Sequence, residues 1–190
     1  MKRYILIAGV NGAGKSTLYQ SSHIFQGIPR INSDDILKGN GDWRNLQDQI
    51  RAGKEAVRLQ AQFLDQGITF QQETTLCGKS ILQAVRKAKN QGYQIEIHFV
   101  GLDNSEIAKR RVRYRVSVGG HGVPDKLIEK RYHESFSKIR SILPICDRVI
   151  FYDNSDLLTW VADCEFGVMV REAEKLPIWF QENILLSRNQ

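Results

Sequence analysis

The sequence predicts an α/β domain of three layers, α/β/α, around a mainly parallel five-stranded sheet. Three observations predict it. Short apolar runs rich in β formers alternate with longer stretches of helical spacing, and that alternation builds a parallel sheet with helices on both faces. A glycine-rich segment, GVNGAGKST (residues 9–17), follows the first apolar run directly. No repeat, low-complexity tract or Pro/Gly/Ser linker interrupts the 190 residues, so one domain over 1–190 is expected.

In chain order, Arg3–Ala8 (RYILIA) reads as a buried strand and Ser16–Ser22 as the opening of a helix. Ile28–Asn32 is a short strand ending at Ser33-Asp34-Asp35, any of which could cap a helix from Ile36. Asp42–Gln66 carries Trp43, Leu46, Ile50, Val57, Ala61 and Leu64 at helical spacing, with Gly53 inside it. Ile68–Thr74 is a third strand. Lys79–Asn90 is a helix stopped by Gly92. Tyr93–Leu102 is a fourth strand, and Asp103 or Ser105 caps the helix behind it. Pro124 starts a helix over about Asp125–Leu143. Arg148–Asp153 is a fifth strand. Trp160–Ala162 and Phe166–Val170 read as a hairpin about Asp163-Cys164-Glu165. Pro177 introduces a final helix with Ile178, Ile184 and Leu185, and the segment 157–190 is expected to pack against the domain edge.

Composition narrows the class. Hydrophobic residues are 42% and charged residues 25%, which excludes a disordered or collagen-like chain. Three cysteines without a CxxC pair suit a reducing compartment rather than a disulfide scaffold or a metal cluster. No apolar run approaches the ~18–20 residues of a membrane span. The basic start breaks at NGAGK with no cleavage site, so a cytoplasmic chain is expected. The formal charge is +6, and it is concentrated: Lys109, Arg110, Arg111, Arg113 and Arg115 stand between Ile107 and Pro124 with no acid among them. A general nucleic-acid binder spreads its basic face more widely, whereas a tight arginine cluster suits a small polyphosphate.

The segment Gly9-Val10-Asn11-Gly12-Ala13-Gly14-Lys15-Ser16 fits GxxxxGK[ST]. Glycines let successive backbone N–H groups turn inward around phosphate oxygens, and the following helix presents its positive end to the same place. Gly9, Asn11, Gly12, Ala13, Gly14, Lys15, Ser16 and Thr17 are therefore candidate ATP-binding residues. Lys15 would reach the β- and γ-phosphates and Ser16 would ligate Mg²⁺. No LSGGQ-like signature, NKxD or DxxG is present, against transporter-type ATPases and GTPases.

A small-molecule kinase needs an acid near the acceptor, a substrate-side strand and a basic lid. In parallel sheets, ligands sit beyond the carboxyl ends of the strands. Asp34 follows the second strand and could take the acceptor proton, while Asp35 reads as a cap. Glu73 and Thr74 end the third strand, where Glu73 could bind substrate hydroxyls or a metal-bound water. The lid is placed at about residues 107–124 with Gly119-Gly120-His121-Gly122 as hinge. Arg115 and, beyond the lid, Arg131 are candidates to neutralise the transferring phosphoryl group. His121 reads as a structural loop residue. Asp153-Asn154-Ser155 could border the base or form an ordinary Asx turn.

Together GVNGAGKST, INSDD, QQETT and RVSVGGHGVPDKLIEKRYHESF resemble the zeta-toxin family of P-loop kinases over about Lys2–Tyr152. The resemblance implies a 2-3-1-4-5 strand order. It implies ATP/Mg²⁺-dependent phosphorylation of a sugar hydroxyl on UDP-N-acetylglucosamine or a related UDP-sugar, and a small antitoxin as partner. It also implies that Asp34 is the catalytic aspartate, Glu73 a substrate-contacting acid, and Arg115 and Arg131 the phosphate-neutralising arginines. Two other readings stay open on the residues alone: a polynucleotide, nucleoside or other metabolite kinase, and a non-catalytic ATP-binding regulatory module.

Overall fold

A computed structural model describes residues 1–185; the end of the predicted C-terminal segment, 186–190, lies outside the described residues. The element order is β1 (Arg3–Ala8), α1 (Lys15–Ser21), β2 (Arg30–Ile31), α2 (Ser33–Asn40), α3 (Leu46–Gln66), β3 (Phe70–Thr74), α4 (Lys79–Asn90) and β4 (Gln94–Gly101). Then follow α5 (Ser105–Ser117), α6 (Asp125–Ile142), β5 (Arg148–Asp153), β6 (Thr159–Glu165), β7 (Val168–Glu172) and α7 (Ile178–Phe180), which runs on as a wider turn over Gln181–Leu185. The sheet has seven strands in the order β2-β3-β1-β4-β5-β6-β7. Its first five strands are parallel in the expected 2-3-1-4-5 order. The predicted hairpin joins the sheet as two antiparallel strands beyond β5, where a five-stranded sheet with the hairpin beside it was expected.

The sheet core is apolar on both sides. In β1, Tyr4 to Ala8 are all at most 1% exposed, as a central parallel strand requires. Register separates two faces. Tyr4, Leu6 and Ala8 of β1 stand beside Phe70, Gln72 and Thr74 of β3, so these residues share one face, and Gln71 and Glu73 point to the other. Helices α3 and α6 cover the first face, with the Phe63 ring 5.5 Å from Phe70 and Phe136 5.6 Å from Phe99. Helix α1 lies over the second face, beside the 3-10 turn that packs Phe25 on the buried His98.

Several expectations are corrected. Helix α2 is capped by Asn32, whose Oδ1 accepts from Asp34 N at 2.9 Å, rather than by Ser33, Asp34 or Asp35. Helix α5 is capped by Asn104, not Asp103 or Ser105, through Oδ1 accepting from Ile107 N. Helix α3 starts at Leu46, not Asp42, behind an Asn45 cap. Its predicted apolar face holds at Leu64 but not along most of its length. Leu46, Ile50 and Val57 are exposed, while the buried row is Ala52, Ala56, Gln60 and Leu64. Those four residues are spaced by four and form one ridge of the helix. The hairpin turn is Phe166-Gly167, both with positive φ (48° and 79°), as a two-residue hairpin loop demands. Asp163, expected in the turn, lies inside β6. Its nearly buried carboxylate accepts from Trp160 Nε1 (2.8 Å), Arg148 (3.0 Å) and Arg171 (3.1 Å), which is how a strand tolerates it. In the last helix, Trp179, Phe180 and Ile184 are buried and Ile178 is exposed.

Among the described residues, no helix is long and apolar enough to cross a membrane.

Candidate active site

The loop between β1 and α1 is built for close approach. Gly12 (φ 81°) carries no Cβ, and one placed there would sit 2.7 Å from Ala108 O. Gly14 has φ 101°, and a Cβ on it would collide with Asn154 Nδ2. Asn154 lies just past β5 and donates Nδ2 to Ala13 O at 2.8 Å, so the predicted Asp153–Ser155 loop braces the glycine loop. That segment is also an Asx turn, Asp153 Oδ1 accepting from Ser155 N. The Lys15 ammonium is nearly buried and donates to Gly9 O (2.9 Å) and Val10 O (3.2 Å). Burial pushes its pKa down from the ordinary value, and Glu73 and Asp34 pull it back up. Ser16 and Thr17 lie exposed on the first turn of α1.

Glu73 stands on the α1 face. Its two oxygens are each 3.5 Å from Ser16 Oγ, and Oε1 is 3.9 Å from Lys15 Nζ. Arg30 (2.6 Å) and Asn32 Nδ2 (3.2 Å) donate to Oε2. Asn32 thus spends its oxygen on capping α2 and its nitrogen on Glu73, tying the Asp34 turn to the corner beside Ser16. Arg30 is further held by Asp35 (3.0 Å) and stacks on Tyr19 (4.2 Å). A carboxylate this close to the motif hydroxyl is the donor set that suits a hydrated divalent cation: one hydroxyl, and acid oxygens to accept from its waters. The residues present fit Mg²⁺ and a nucleotide triphosphate.

Beside this corner opens a cavity of about 600 Å³, the size of a small-molecule site. Lys15, Asp34, Glu73 and Arg131 are among its polar lining residues, and Leu37, Trp43, Ala56 and Leu127 among its apolar ones. Arg131 reaches across from α6 to donate to Asn11 Oδ1 at 2.8 Å. Arg115 arches over Gly120 and donates Nε to His121 O (2.7 Å), while its NH2 is buried without a partner among the described residues. Thr74 lines the cavity and its hydroxyl accepts from Leu76 N.

The basic stretch 109–115, which lies in α5, is internally neutralised more than its sequence implies. Lys109 is paired with Glu106 (2.7 Å) and Glu129 (2.8 Å), and Arg113 with Asp125. Arg115, a predicted site residue, does not line the cavity; its charge lowers the Lys15 pKa, and its Nε is bound to His121 O.

The cavity wall includes residues beyond the predicted site. His121, expected to be structural, faces the cavity with its ring 5.6 Å from Trp43, and its Nδ1 is buried without a partner among the described residues. Burial holds its pKa below the ordinary 6.5, against a pull upward from Asp34. The unfolded chain therefore takes up this proton first on acidification. Stability is expected to be fully present above pH 6.5 and to fall as the pH drops through it. Thermal denaturation of wild type and His121→Gln from about pH 7.5 to 5.5 checks this, the variant having the shallower slope. Trp43 reads from sequence only as a helix-face residue and Asn32 only as a strand end, and Gln72 carries no signal. Asn32 had a readable signal, as a short polar side chain directly before an acidic first turn.

Residues 5–136 match the model of the AAA_33 family, an AAA domain. The chain belongs to this family. This AAA domain is 36% identical over 129 residues to an uncharacterized protein of Haemophilus influenzae, covering 67% of the chain and 91% of that relative. In fold it is similar to a structure of the PezAT chromosomal toxin–antitoxin system of Streptococcus pneumoniae, with TM-score 0.65, 22% identity, and 86% of this chain and 72% of that chain covered. It is similar also to the AvrRxo1-ORF1:-ORF2 complex crystallised with ATP, with TM-score 0.70, 13% identity, and 89% and 60% covered. The AAA domain therefore has a nucleotide-binding P-loop kinase-like fold.

Proposed function

We propose that this AAA domain is an ATP- and Mg²⁺-dependent kinase acting on a hydroxyl of a small molecule, with UDP-N-acetylglucosamine or a related UDP-sugar as acceptor. The observation that carries the kinase reading is the cavity itself, which places Asp34, Lys15 and Arg131 around one space beside the glycine loop. Support for the acceptor is the resemblance of the INSDD, QQETT and lid segments to zeta toxins, together with the fold shared with PezAT. A small antitoxin-like partner protein belongs to the same reading.

The N–H groups of residues 9–16 hold the phosphates, and Lys15 leaves the carbonyls of Gly9 and Val10 to bind the β- and γ-oxygens. Ser16 and Glu73 would hold the Mg²⁺, which would supply charge compensation for the phosphates. Bound ATP supplies the phosphoryl group. Asp34 accepts the proton of the acceptor hydroxyl, and Arg131 and Arg115 stabilise charge on the phosphoryl oxygens.

The test is mass spectrometry of products from purified protein, Mg-ATP and UDP-N-acetylglucosamine. Wild type is expected to yield a singly phosphorylated UDP-sugar. Lys15→Ala is expected to yield none. Asp34→Asn is expected to keep ATP binding and to lose about 10²–10⁴-fold in transfer rate. Undiminished turnover in Asp34→Asn removes the base assignment; ATP binding by wild type without this product removes the UDP-sugar.

A further inference from the structure

We propose that Gln72 is a specificity-determining residue, a fixed hydrogen-bond donor that reads an oxygen of the acceptor. This rests on the kinase reading above and adds to it which chain atom recognises the acceptor.

Gln72 lies on β3 between Gln71 and Glu73, on the α3 face of the sheet, and lines the cavity. Its Oε1 belongs to a closed polar ring whose other members, Tyr4 and Gln60, do not line the cavity. Gln60 Nε2, on α3, donates to this Oε1 at 2.6 Å and to the Tyr4 hydroxyl at 2.6 Å. The Tyr4 hydroxyl in turn donates to the same Oε1 at 2.5 Å. Tyr4 is fully buried and Gln60 nearly so. Both hydrogens of the Gln60 amide and the single Tyr4 hydrogen are consumed, and both accepting sites of Gln72 Oε1 are filled. Among the described residues, Gln72 Nε2 donates to no protein atom. Two buried donors thus hold the amide plane and leave its NH₂ as the end that faces the cavity.

A buried polar ring in a sheet core is costly unless every member is satisfied, and an apolar trio would fill this space without that demand. The ring makes sense as a device that fixes Gln72. A donor held in one orientation favours a ligand oxygen there, and rejects an analogue lacking it because the amide is then left without a partner. Besides the charged Lys15, Asp34, Arg44, Glu73 and Arg131, the cavity lining includes the uncharged hydrogen-bonding side chains of Gln49 and Thr75 and the Trp43 indole. That chemistry fits a polyhydroxylated or carbonyl-bearing ring: Asp34 takes the reacting hydroxyl, and Gln72 holds a second oxygen of the same ring.

The experiment measures acceptor KM and kcat for wild type, Gln72→Glu, Gln72→Met and Tyr4→Phe, with melting temperatures as a check on folding. UDP-N-acetylglucosamine is the first probe. If it is not turned over, the probe is the component that wild type phosphorylates in a deproteinised bacterial metabolite extract. Gln72→Glu keeps the oxygen that accepts from Tyr4 and Gln60 and changes only the cavity-facing atom. Gln72→Met removes the donor without adding charge. Both are expected to raise acceptor KM by about 10–100-fold, with a much smaller change in kcat. Tyr4→Phe is expected to raise it less, and to add little on top of Gln72→Met, because its effect acts through Gln72.

An unchanged KM in both Gln72 variants overturns the assignment and leaves the kinase reading standing. So does a loss confined to kcat. A rise in Gln72→Met with none in Gln72→Glu also overturns it, because both amides are then turned over together and the cavity faces an oxygen. A wild type that phosphorylates neither UDP-N-acetylglucosamine nor anything in the extract overturns the kinase reading, and the role of Gln72 with it.

Discussion

Arg131→Ala is expected to lower kcat by about 10³–10⁵-fold, the range for an arginine that stabilises a transferring phosphoryl group. The expectation comes from where the side chain is held. Arg131 projects from the second turn of α6, a helix whose buried row Ile128, Tyr132, Ser135 and Phe136 anchors it to the sheet. One guanidinium nitrogen is fixed on Asn11 of the glycine loop, and the residue lines the same cavity as Lys15 and Asp34. Its charge already acts on Lys15, pushing the ammonium pKa down. A cation placed there before the reaction needs no reorganisation when charge builds on the phosphoryl oxygens.

Arg131→Lys is expected to recover little, since an ammonium cannot bond Asn11 and a phosphoryl oxygen in the same plane. Steady-state kinetics at saturating ATP and acceptor make the measurement. Arg115→Ala gives the contrast. That side chain holds the 119–122 loop through His121 O, so its loss is expected to raise KM as well as lower kcat. An Arg131→Ala enzyme with wild-type kcat would remove the role.

The positions of the parallel strands and of the glycine loop were legible because each rests on local pattern, whereas the 2-3-1-4-5 order came from the resemblance to zeta-toxin kinases. β1 and β5 occupy the expected residues, and the motif joins a strand to a helix as its mechanism requires. What was not legible depends on what the elements meet. Leu46, Ile50 and Val57 look like a core face, but α3 runs past the core to wall a cavity. There the small Ala52, Gly53 and Ala56 make room. Tertiary use overrides periodicity in such a helix. Gln60 and Gln72 read as surface residues in any composition argument; only pairing β3 with β1 and packing α3 on them reveals a ring. Asp163 beside Cys164 and Glu165 resembled a turn because the two arginines that neutralise it come from β5 and β7. The lid charge was overestimated for the same reason, since Glu129 and Asp125, which oppose it, belong to α6.

The C-terminal segment was expected only to pack on the domain edge, and Trp179 shows that it does more. Trp179→Ala is expected to destabilise the fold by about 3–5 kcal/mol, a large share of a typical 5–15 kcal/mol. The ring is 1% exposed, with its centroid 5.6 Å from Phe136 and 6.2 Å from Phe99. It lies against Gly101 at the end of β4, where any Cβ would collide with it. Truncation leaves an aromatic-sized hole between α6 and the sheet that rigid neighbours cannot close. Denaturant unfolding gives the magnitude.

The same substitution is expected to weaken ATP binding, by a short chain of contacts. Trp179 Nε1 donates to Asp153 Oδ1 at 2.9 Å, and Asp153 Oδ1 fixes Ser155. Between them Asn154 donates its N–H to Gly101 O and its amide to Ala13 O, bracing the glycine loop from behind. Trp179→Phe separates the two effects. It keeps most of the ring volume and loses the N–H, so stability is expected to fall less than in the alanine variant while the loss of ATP affinity persists. If Trp179→Phe binds ATP as wild type does, the indole stabilises the domain without positioning the loop after β5.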